Sequence, residues 1–390
     1  MKYNHPTDIP MSKALSFEWI GELIYTASSN VHGDTYPVTW ADDDELYTGV
    51  GDPCWRVIND KNENWESAAP MSAEHYPAMS GAAFEKIIGK PETFEVYRVN
   101  DMPEYTGFAG NGAKPCGMVC VDGVIYYAIH NLLGIKIPPN RPKSQHGSDA
   151  TIIYTKDYGK TWLPDHSKLF KDFDNETHKV TYHEWTTQWL TTEQERESFN
   201  GWQPMFPGST FGGPSFVQFG KNNEDAVDGY VYAVSGDQWD NGRFLRLGRV
   251  PKDKIMDRDA WEFFTHDSWQ KDINQSSPIL DIDGHIGLPE MVYIKSLKKY
   301  ILLTWALHKD FDASAGSELT ILEGDNPWGP FSLAHYDWMW YTRDNCPYTP
   351  RIPLKWFNQQ SLEGYILQSG KWASPYYIPQ IRKFAFRTLA

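Results

Sequence analysis

Cysteine is scarce in this sequence of 390 residues, which has four, at Cys54, Cys116, Cys120 and Cys346. They are scattered and form no Cys-x-x-Cys pair, which excludes a disulfide scaffold and a cysteine-based zinc or redox motif. Long hydrophobic runs are also missing. No apolar segment approaches the roughly 20 residues of a membrane-spanning helix, and the first ten residues, MKYNHPTDIP, lack the apolar stretch of a signal peptide.

Positively charged residues are fewer than negatively charged ones. The chain has 36 Lys and Arg against 51 Asp and Glu, a formal net charge of −15, which repels phosphate backbones and anionic lipid headgroups. We therefore expect neither a nucleic-acid partner nor a membrane partner. Two Asn-x-Ser/Thr sequons, at Asn175 and Asn274, are compatible with secretion. We expect an extracellular protein whose signal peptide is absent from this sequence.

Aromatic residues, by contrast, are abundant at 15% of the chain, with 17 Trp, 22 Tyr and 19 Phe. Such side chains favour β-strands and stack against the apolar faces of sugar rings. The other proportions, 41% hydrophobic and 22% charged, are those of a globular protein with a sizeable core.

A hairpin of two short apolar strands recurs five times along the chain. The copies are VTWADDDELYTGV from Val38, MVCVDGVIYYAI from Met118, FVQFGKNNEDAVDGYVYAV from Phe216, MVYIKSLKKYILLTW from Met291 and IPLKWFNQQSLEGYILQS from Ile352. Each copy leaves room for two further strands before the next. Four antiparallel strands per repeat is the pattern of a β-propeller blade, whereas two sandwich domains would not predict five similar hairpins.

The sequence therefore predicts an all-β protein, a single β-propeller over residues 1–390 with about five four-stranded blades. We interpret residues 54–92 and 163–211 as insertions or extended loops. A blade hidden in either would raise the number to six or seven. The N-terminal strand FEWIGELIY, from Phe17 to Tyr25, is expected to pair with a late blade and close the ring, which leaves no open sheet edge.

The segment TKDYGKTW at residues 155–162 resembles the Asp-box of sialidase-type propellers, which marks the outer turn of a blade. Asp157 can accept backbone N–H groups of the turn, Gly159 can adopt a positive φ, and Trp162 can pack between blades. This motif predicts architecture and carries no information on chemistry.

In a propeller, the loops that enter the first strand and leave the second strand of each blade converge on one face. Aromatic, histidine, carboxylate and arginine side chains on such a face form a polar pocket with stacking platforms. The candidate substrate-binding residues at these positions are His32, Asp34, Asn131, Asp237, Arg243, Glu290, His308 and Trp372. Asp52, Lys114, Ser215, Trp305 and Tyr348 fall at the same face.

The chain resembles a propeller family long catalogued without an assigned function. The resemblance rests on GDTYPVTWADDDELYTGVGD, CGMVCVDGVIYYAIHN, the Asp-box and NPWGPF at 326–331, and it extends from about Phe17 to Phe386. Members of that family include glycan-degrading hydrolases and fungal lyases that cleave rhamnose from glucuronate in gum arabic type glycans. The resemblance implies a catalytic role for Asp34 in the hydrolase branch. Many relatives have Arg-Asn where this chain has His130-Asn131.

Two reactions and one binding role fit these residues. The first hypothesis is β-elimination at a uronic acid by a rhamnose-glucuronate lyase-like enzyme. In it His130 is the base and acid, and Arg351 neutralises the carboxylate. The alternative is glycoside hydrolysis by two carboxylates, Asp34 with Glu290 or Asp237. The third is a non-catalytic sugar-binding propeller. We expect the protein to be a monomer that binds a glycan. We expect no required cofactor, although the pocket carboxylates could hold a calcium ion.

Overall fold

Strands dominate the computed structural model, which describes residues 2–28, 31–53, 81–102, 104–105, 113–132, 147–166, 173–174, 179–180, 203–372 and 374–389. In these ranges the helices are single 3-10 turns, at Pro6–Asp8, Pro91–Thr93, Lys221–Asn223, Arg258–Ala260, Ile273–Gln275, Ala313–Ala315 and Leu354–Trp356. None of them is long and apolar enough to span a membrane.

The strands follow in chain order. They are β1 Lys2–Tyr3, β2 Leu15–Tyr25, β3 Val38–Trp40, β4 Leu46–Gly51, β5 Ala82–Ile88, β6 Glu95–Asn100, β7 Lys114–Val121, β8 Val124–His130, β9 Thr151–Thr155, β10 Phe173–Asp174, β11 Lys179–Val180, β12 Pro214–Phe216, β13 Tyr230–Gly236, β14 Gly242–Pro251, β15 Glu262–Thr265, β16 Ser268–Gln270, β17 Leu280–Ile286, β18 Glu290–Ile294, β19 Lys299–Leu307, β20 Ser317–Gly324, β21 Ser332–Asp337, β22 Tyr348–Arg351, β23 Glu363–Ser369 and β24 Pro379–Thr388.

Most strands pair with their neighbours in the chain, as in propeller blades. Three sheets have four strands each, in the orders β3-β4-β5-β6, β18-β19-β20-β21 and β2-β24-β23-β22. A seven-stranded sheet has the path β12-β13-β14-β17-β1, with β15 paired to β14 and β16 paired to β15. A sheet of three strands has the order β7-β8-β9, and β10 pairs with β11 alone.

The propeller-like all-β architecture is confirmed, and the number of complete blades is corrected. Among the described residues, four sheets rather than the expected five contain four or more strands. In the described part of the chain, the sheet β7-β8-β9 continues past β9 only as two isolated bridges, Ala150 with Phe206 and Tyr154 with Leu163. Pro164, the residue after Leu163, has no N–H with which to extend the second bridge.

The sheets pack face to face, and apolar side chains fill each seam. Phe84 of β5 lies in one cluster with Tyr127 of β8, and Leu322 of β20 lies in another with Val234 of β13. A third cluster joins Leu303 of β19 to the sheet of β22 to β24, and a fourth joins that sheet to Val38 and Leu46 of the first sheet. Packing therefore runs from sheet to sheet and returns to its start, as in a closed ring.

Most of the predicted hairpins match strand pairs. The hairpins β3-β4, β7-β8, β12-β13 and β18-β19 coincide with the first four copies. The fifth inner strand, β22, lies just before the predicted start at Ile352, because the chain turns at Pro353 into the 3-10 turn Leu354–Trp356. Part of the predicted insertion 54–92 is regular, since it contains strand β5. Residues 54–80 and most of 163–211 lie outside the described residues.

The N-terminal strand closes the last sheet, as predicted. Strand β2 pairs antiparallel with β24 over registers from Leu15 opposite Thr388 to Tyr25 opposite Gln380, with one irregularity between Trp19 and Leu23. The chain thus joins its beginning to its end within one sheet. The edge of β24 that would otherwise be open is covered.

The Asp-box turn has the geometry that its sequence predicts. The Asp157 carboxylate accepts the Thr161 N–H at 2.9 Å and the Thr161 hydroxyl at 2.7 Å. Gly159 has φ of 90°. The Trp162 ring lies 5.0 Å from the Phe84 ring of one sheet and 5.6 Å from the Tyr127 ring of the next, so the motif fastens two neighbouring sheets together.

Candidate functional site

The inner hairpins bring their polar ends to one face of the molecule. In the first sheet, Asp34 pairs with Gly51 just before β3, and Asp52 directly follows β4. In the next sheet, Lys114 at the start of β7 lies opposite His130 at the end of β8. The same face receives Tyr348, which starts β22.

Two buried aspartates form the centre of this face. Lys114 Nζ lies 2.7 Å from Asp52 Oδ1, and both side chains are almost fully buried. The Tyr348 hydroxyl donates a 3.0 Å hydrogen bond to Asp34 Oδ2. The other oxygen, Asp34 Oδ1, is buried and has no hydrogen-bond partner among the described residues.

Burial is the main cause of an unusual pKa at Asp34. Removal from water, reinforced by the nearby charge of Asp52, raises its pKa to about 7, while Lys114 and the Tyr348 hydroxyl oppose the rise. Asp52 instead faces the ammonium group of Lys114. The arrangement thus has one carboxyl that holds a proton near neutrality beside a second carboxyl that is paired with a lysine.

An aromatic wall adjoins the two aspartates. The Tyr348 ring lies 5.4 Å from Trp239 and 5.8 Å from Trp372. Trp372 stacks on Phe311 at 5.4 Å, and these two rings are only partly buried. Aromatic faces beside carboxyl groups suit a sugar ring, which presents apolar C–H faces and polar hydroxyl edges.

Arg351 and Glu290 form a closed ion pair behind this wall. Arg351 Nη1 lies 3.0 Å from Glu290 Oε2, and both side chains are essentially inaccessible to water. Arg351 also donates to the Thr35 and Pro289 carbonyls and to the Ser215 hydroxyl. Burial raises the pKa of Glu290 to about 7 although the guanidinium opposes the rise. The guanidinium of Arg351 therefore donates its hydrogen bonds to groups of the protein itself.

His130 is fully buried at the end of β8. Neither ring nitrogen has a hydrogen-bond partner among the described residues. Desolvation, with a smaller contribution from the charge of Lys114, lowers its pKa to about 3, so the ring is neutral at physiological pH. A neutral, enclosed imidazole of such low basicity is poorly suited to take a proton from a substrate carbon.

The other predicted site residues divide into two groups. Asn131 and His32 lie close to the aspartates: Asn131 is buried next to His130 with its side chain bound to the Ser148 N–H, and burial lowers the pKa of His32. The remaining three are Asp237, Arg243 and His308. Asp237 accepts the Arg243 and Phe244 N–H groups, Arg243 pairs with Asp281, and His308 stacks on Trp338.

Each of these three residues thus has a partner within the protein. The Asp237 carboxylate accepts hydrogen bonds from two backbone N–H groups of the turn that follows it, as aspartates beside turns commonly do. The guanidinium of Arg243 has a carboxylate partner within its own sheet. Sequence reasoning did not single out Trp239 or Phe311 of the aromatic wall, nor Tyr377, whose hydroxyl lies 3.5 Å from Asp52 Oδ2. These residues lie in loops whose course only the folded chain defines.

Comparison with known proteins adds the family. A family model described as a domain of unknown function, DUF4185, matches residues 26–338, and the chain belongs to this family. No curated protein matches it. These findings agree with the expected resemblance to an unassigned propeller family, and they give no support to the rhamnose-glucuronate lyase branch.

Several solved structures are similar to this chain at low sequence identity. A putative hydrolase from Bacteroides ovatus is 11% identical with a TM-score of 0.51, covering 90% of this chain and 85% of that one. A family 117 glycoside hydrolase from Zobellia galactanivorans is 10% identical with a TM-score of 0.47, covering 96% and 91%. The α-L-arabinofuranosidase PaAbf62A from Podospora anserina is 9% identical with a TM-score of 0.43, covering 97% and 98%.

Proposed function

We propose that this protein is a glycoside hydrolase that uses Asp34 as its general acid. The observation that carries the proposal is the pair of buried aspartates beside an aromatic wall, in which Asp34 has a pKa of about 7 and Asp52 is paired with Lys114. Hydrolysis of a glycosidic bond needs one carboxyl group that can donate a proton and a second that is charged. The site contains both.

Each group then has a defined role. Asp34 donates its proton to the glycosidic oxygen through Oδ1, which no described residue binds, while the Tyr348 hydroxyl binds Oδ2. Asp52 faces the positive charge that develops at the anomeric carbon. The partly exposed rings of Trp372 and Phe311 stack against the sugar and fix its orientation.

The β-elimination hypothesis fits this geometry less well. It requires Arg351 to bind a substrate carboxylate, yet its donors already bind Glu290, Ser215 and backbone carbonyls. It also requires a basic His130, whose pKa is instead lowered to about 3. Asp34 with Asp52 therefore replaces both the His130–Arg351 pair and the earlier pairing of Asp34 with Glu290 or Asp237.

The test is a digestion of neutral and uronate-containing oligosaccharides in oxygen-18 water. A hydrolase places labelled oxygen in the new reducing end and forms no ultraviolet-absorbing unsaturated sugar. Asp34→Asn should lower kcat by about 10²- to 10⁴-fold, because an amide cannot donate the proton. Asp237→Asn is the matched control and should retain activity.

Three outcomes would contradict the proposal. An unsaturated product without label would establish elimination. Sugar binding without turnover, in wild type and Asp34→Asn alike, would establish a binding protein. Equal kcat values for Asp34→Asn and Asp237→Asn would remove Asp34 from the mechanism.

A further inference from the structure

Three metal-ligating side chains meet away from the aspartate site, at the seam between the seven-stranded sheet and the β18–β21 sheet. His5 follows β1, His285 lies on β17, and Glu318 lies on β20. One ligand atom of each lies within 4.8 Å of the other two. Within the described ranges, this is the one such group of three His, Cys, Asp or Glu side chains.

The surrounding contacts aim these atoms at one another. His285 Nδ1 contacts Glu318 Oε1, and the Tyr336 hydroxyl donates to Glu318 Oε2 at 2.7 Å. His5 Nδ1 lies 2.8 Å from the Thr7 hydroxyl and 3.3 Å from the Thr7 N, and His5 Nε2 lies 3.2 Å from the Tyr336 hydroxyl that also binds Glu318. A metal-bound histidine commonly donates its second ring N–H to an acceptor, and the Thr7 hydroxyl is in position to accept it.

Charge gives a second reason to expect a cation here. Glu318 is only 3% exposed, and no Lys or Arg forms an ion pair with it in the part of the chain that the structure describes. Burying a carboxylate without a positive partner is costly. A bound cation would remove that cost, and so would a protonated His285.

We propose that His5 Nε2, His285 Nδ1 and the Glu318 carboxylate bind a divalent transition-metal ion of the zinc type. Two imidazoles and one carboxylate are a zinc ligand set, whereas calcium and magnesium prefer oxygen ligands alone. Bonds of about 2.0–2.2 Å to one ion set neighbouring ligands about 3–3.5 Å apart. Small side-chain rotations from the observed separation achieve this.

Such an ion would fasten the start of the chain to two sheets. The N-terminal segment is otherwise held to β17 by the short parallel pairing of β1, which covers only Lys2 and Tyr3. With His5, His285 and Glu318 as ligands, the segment, the seven-stranded sheet and the β18–β21 sheet share one centre. This site is independent of the proposed hydrolase chemistry.

The experiment is titration of the metal-free full chain with Zn²⁺ by calorimetry, and with Co²⁺ followed by visible absorption. We expect one ion per chain, and a rise of Tm with Zn²⁺ concentration. His285→Gln and Glu318→Gln should each weaken binding about 100-fold or more, the upper end of what the loss of an outer-shell partner costs. His5→Gln tests the third ligand in a surface segment, where the fold is least affected.

The matched control is His335→Gln. His335 Nε2 lies 3.0 Å from Asp337 Oδ2, a histidine and carboxylate pair on the neighbouring strand β21, and no third ligand joins this pair among the residues that the structure describes. This variant should bind Zn²⁺ as the wild type does. The proposal is overturned if the wild type binds no Zn²⁺ at stoichiometric concentration. It is equally overturned if folded Glu318→Gln or His5→Gln binds Zn²⁺ with wild-type affinity.

Discussion

Individual charged residues in this protein owe their properties to what is buried with them. Asp34 and Glu290 both have a raised pKa because burial disfavours their charged forms. Their surroundings differ, since Glu290 is enclosed with Arg351 whereas one oxygen of Asp34 has no partner among the described residues. A buried carboxyl group thus supports structure in Glu290, whereas in the proposed mechanism the buried carboxyl group of Asp34 takes part in the chemistry.

The raised pKa of Asp34 predicts a pH-dependent stability. Between the unfolded pKa of about 3.9 and the folded pKa of about 7, the folded state binds more protons than the unfolded state. The free energy of unfolding therefore falls as pH rises through this window, by at most about 1.4 kcal/mol per pH unit. Asp34→Asn should have a flatter profile, measured as urea midpoints from pH 4 to 7. Asp237→Asn should keep the wild-type slope, and an equally steep slope for Asp34→Asn would contradict the assignment.

The Arg351 ion pair predicts a large loss of stability on truncation. Arg351→Met leaves the Glu290 carboxylate buried without its partner and should cost about 3–5 kcal/mol in urea unfolding. The double change with Glu290→Leu should recover part of that loss, because no buried charge remains. Arg243→Met removes a pair whose arginine is 36% exposed and should cost about 1 kcal/mol or less. Similar losses of stability for Arg351→Met and Arg243→Met would disprove the distinction between the buried and the exposed ion pair.

At the scale of elements, the Asp-box shows how one turn joins two sheets. Its aspartate and threonines close the turn, and its tryptophan crosses to the neighbouring sheet. Gly159 lies directly against the Phe84 ring, where an added Cβ would be 2.2 Å from Phe84 Cε1. The turn therefore needs glycine for its backbone conformation and for space.

Gly159→Ala separates those two requirements when compared with Gly208→Ala. Gly208 has φ of 74° but no atom within 4 Å of an added Cβ, so its replacement should cost only the backbone strain of about 1–2 kcal/mol. Gly159→Ala adds a clash that costs about another 1–3 kcal/mol. Thermal or urea unfolding of the two variants provides the measurement. If Gly159→Ala is no less stable than Gly208→Ala, the turn accommodates the added Cβ without a loss of stability, and the prediction is wrong.

At the scale of the whole molecule, the ring depends on the pairing of β2 with β24. Deletion of residues 1–25 exposes the edge of β24, and exposed strand edges associate with one another. We expect the truncated chain to self-associate in sedimentation velocity and to unfold at lower urea concentration. A deletion of residues 1–4, which removes β1 but keeps β2, should remain monomeric. A monomeric 26–390 chain with an unchanged urea midpoint would show that closure is dispensable.

The sequence by itself determined the local features of this protein. Short apolar strands separated by turn residues defined the hairpins, the Asp-box defined its own turn, and the strand near the N-terminus identified the closing strand. These features depend on residues close together in the chain. Asp34 was also recognised from the sequence, because a position before the first inner strand lies on the converging face.

Only the tertiary structure decided which charges neutralise one another and which rings share a wall. Arg351 meets Glu290 across 61 positions, and Tyr348 meets Asp34 across 314. Sequence alone offered Arg351 and Glu290 as separate substrate contacts, whereas the fold joins them into a buried pair. The physical reason is that a pKa and a partner depend on solvent exclusion and distance, and both arise only when the sheets have closed around the centre.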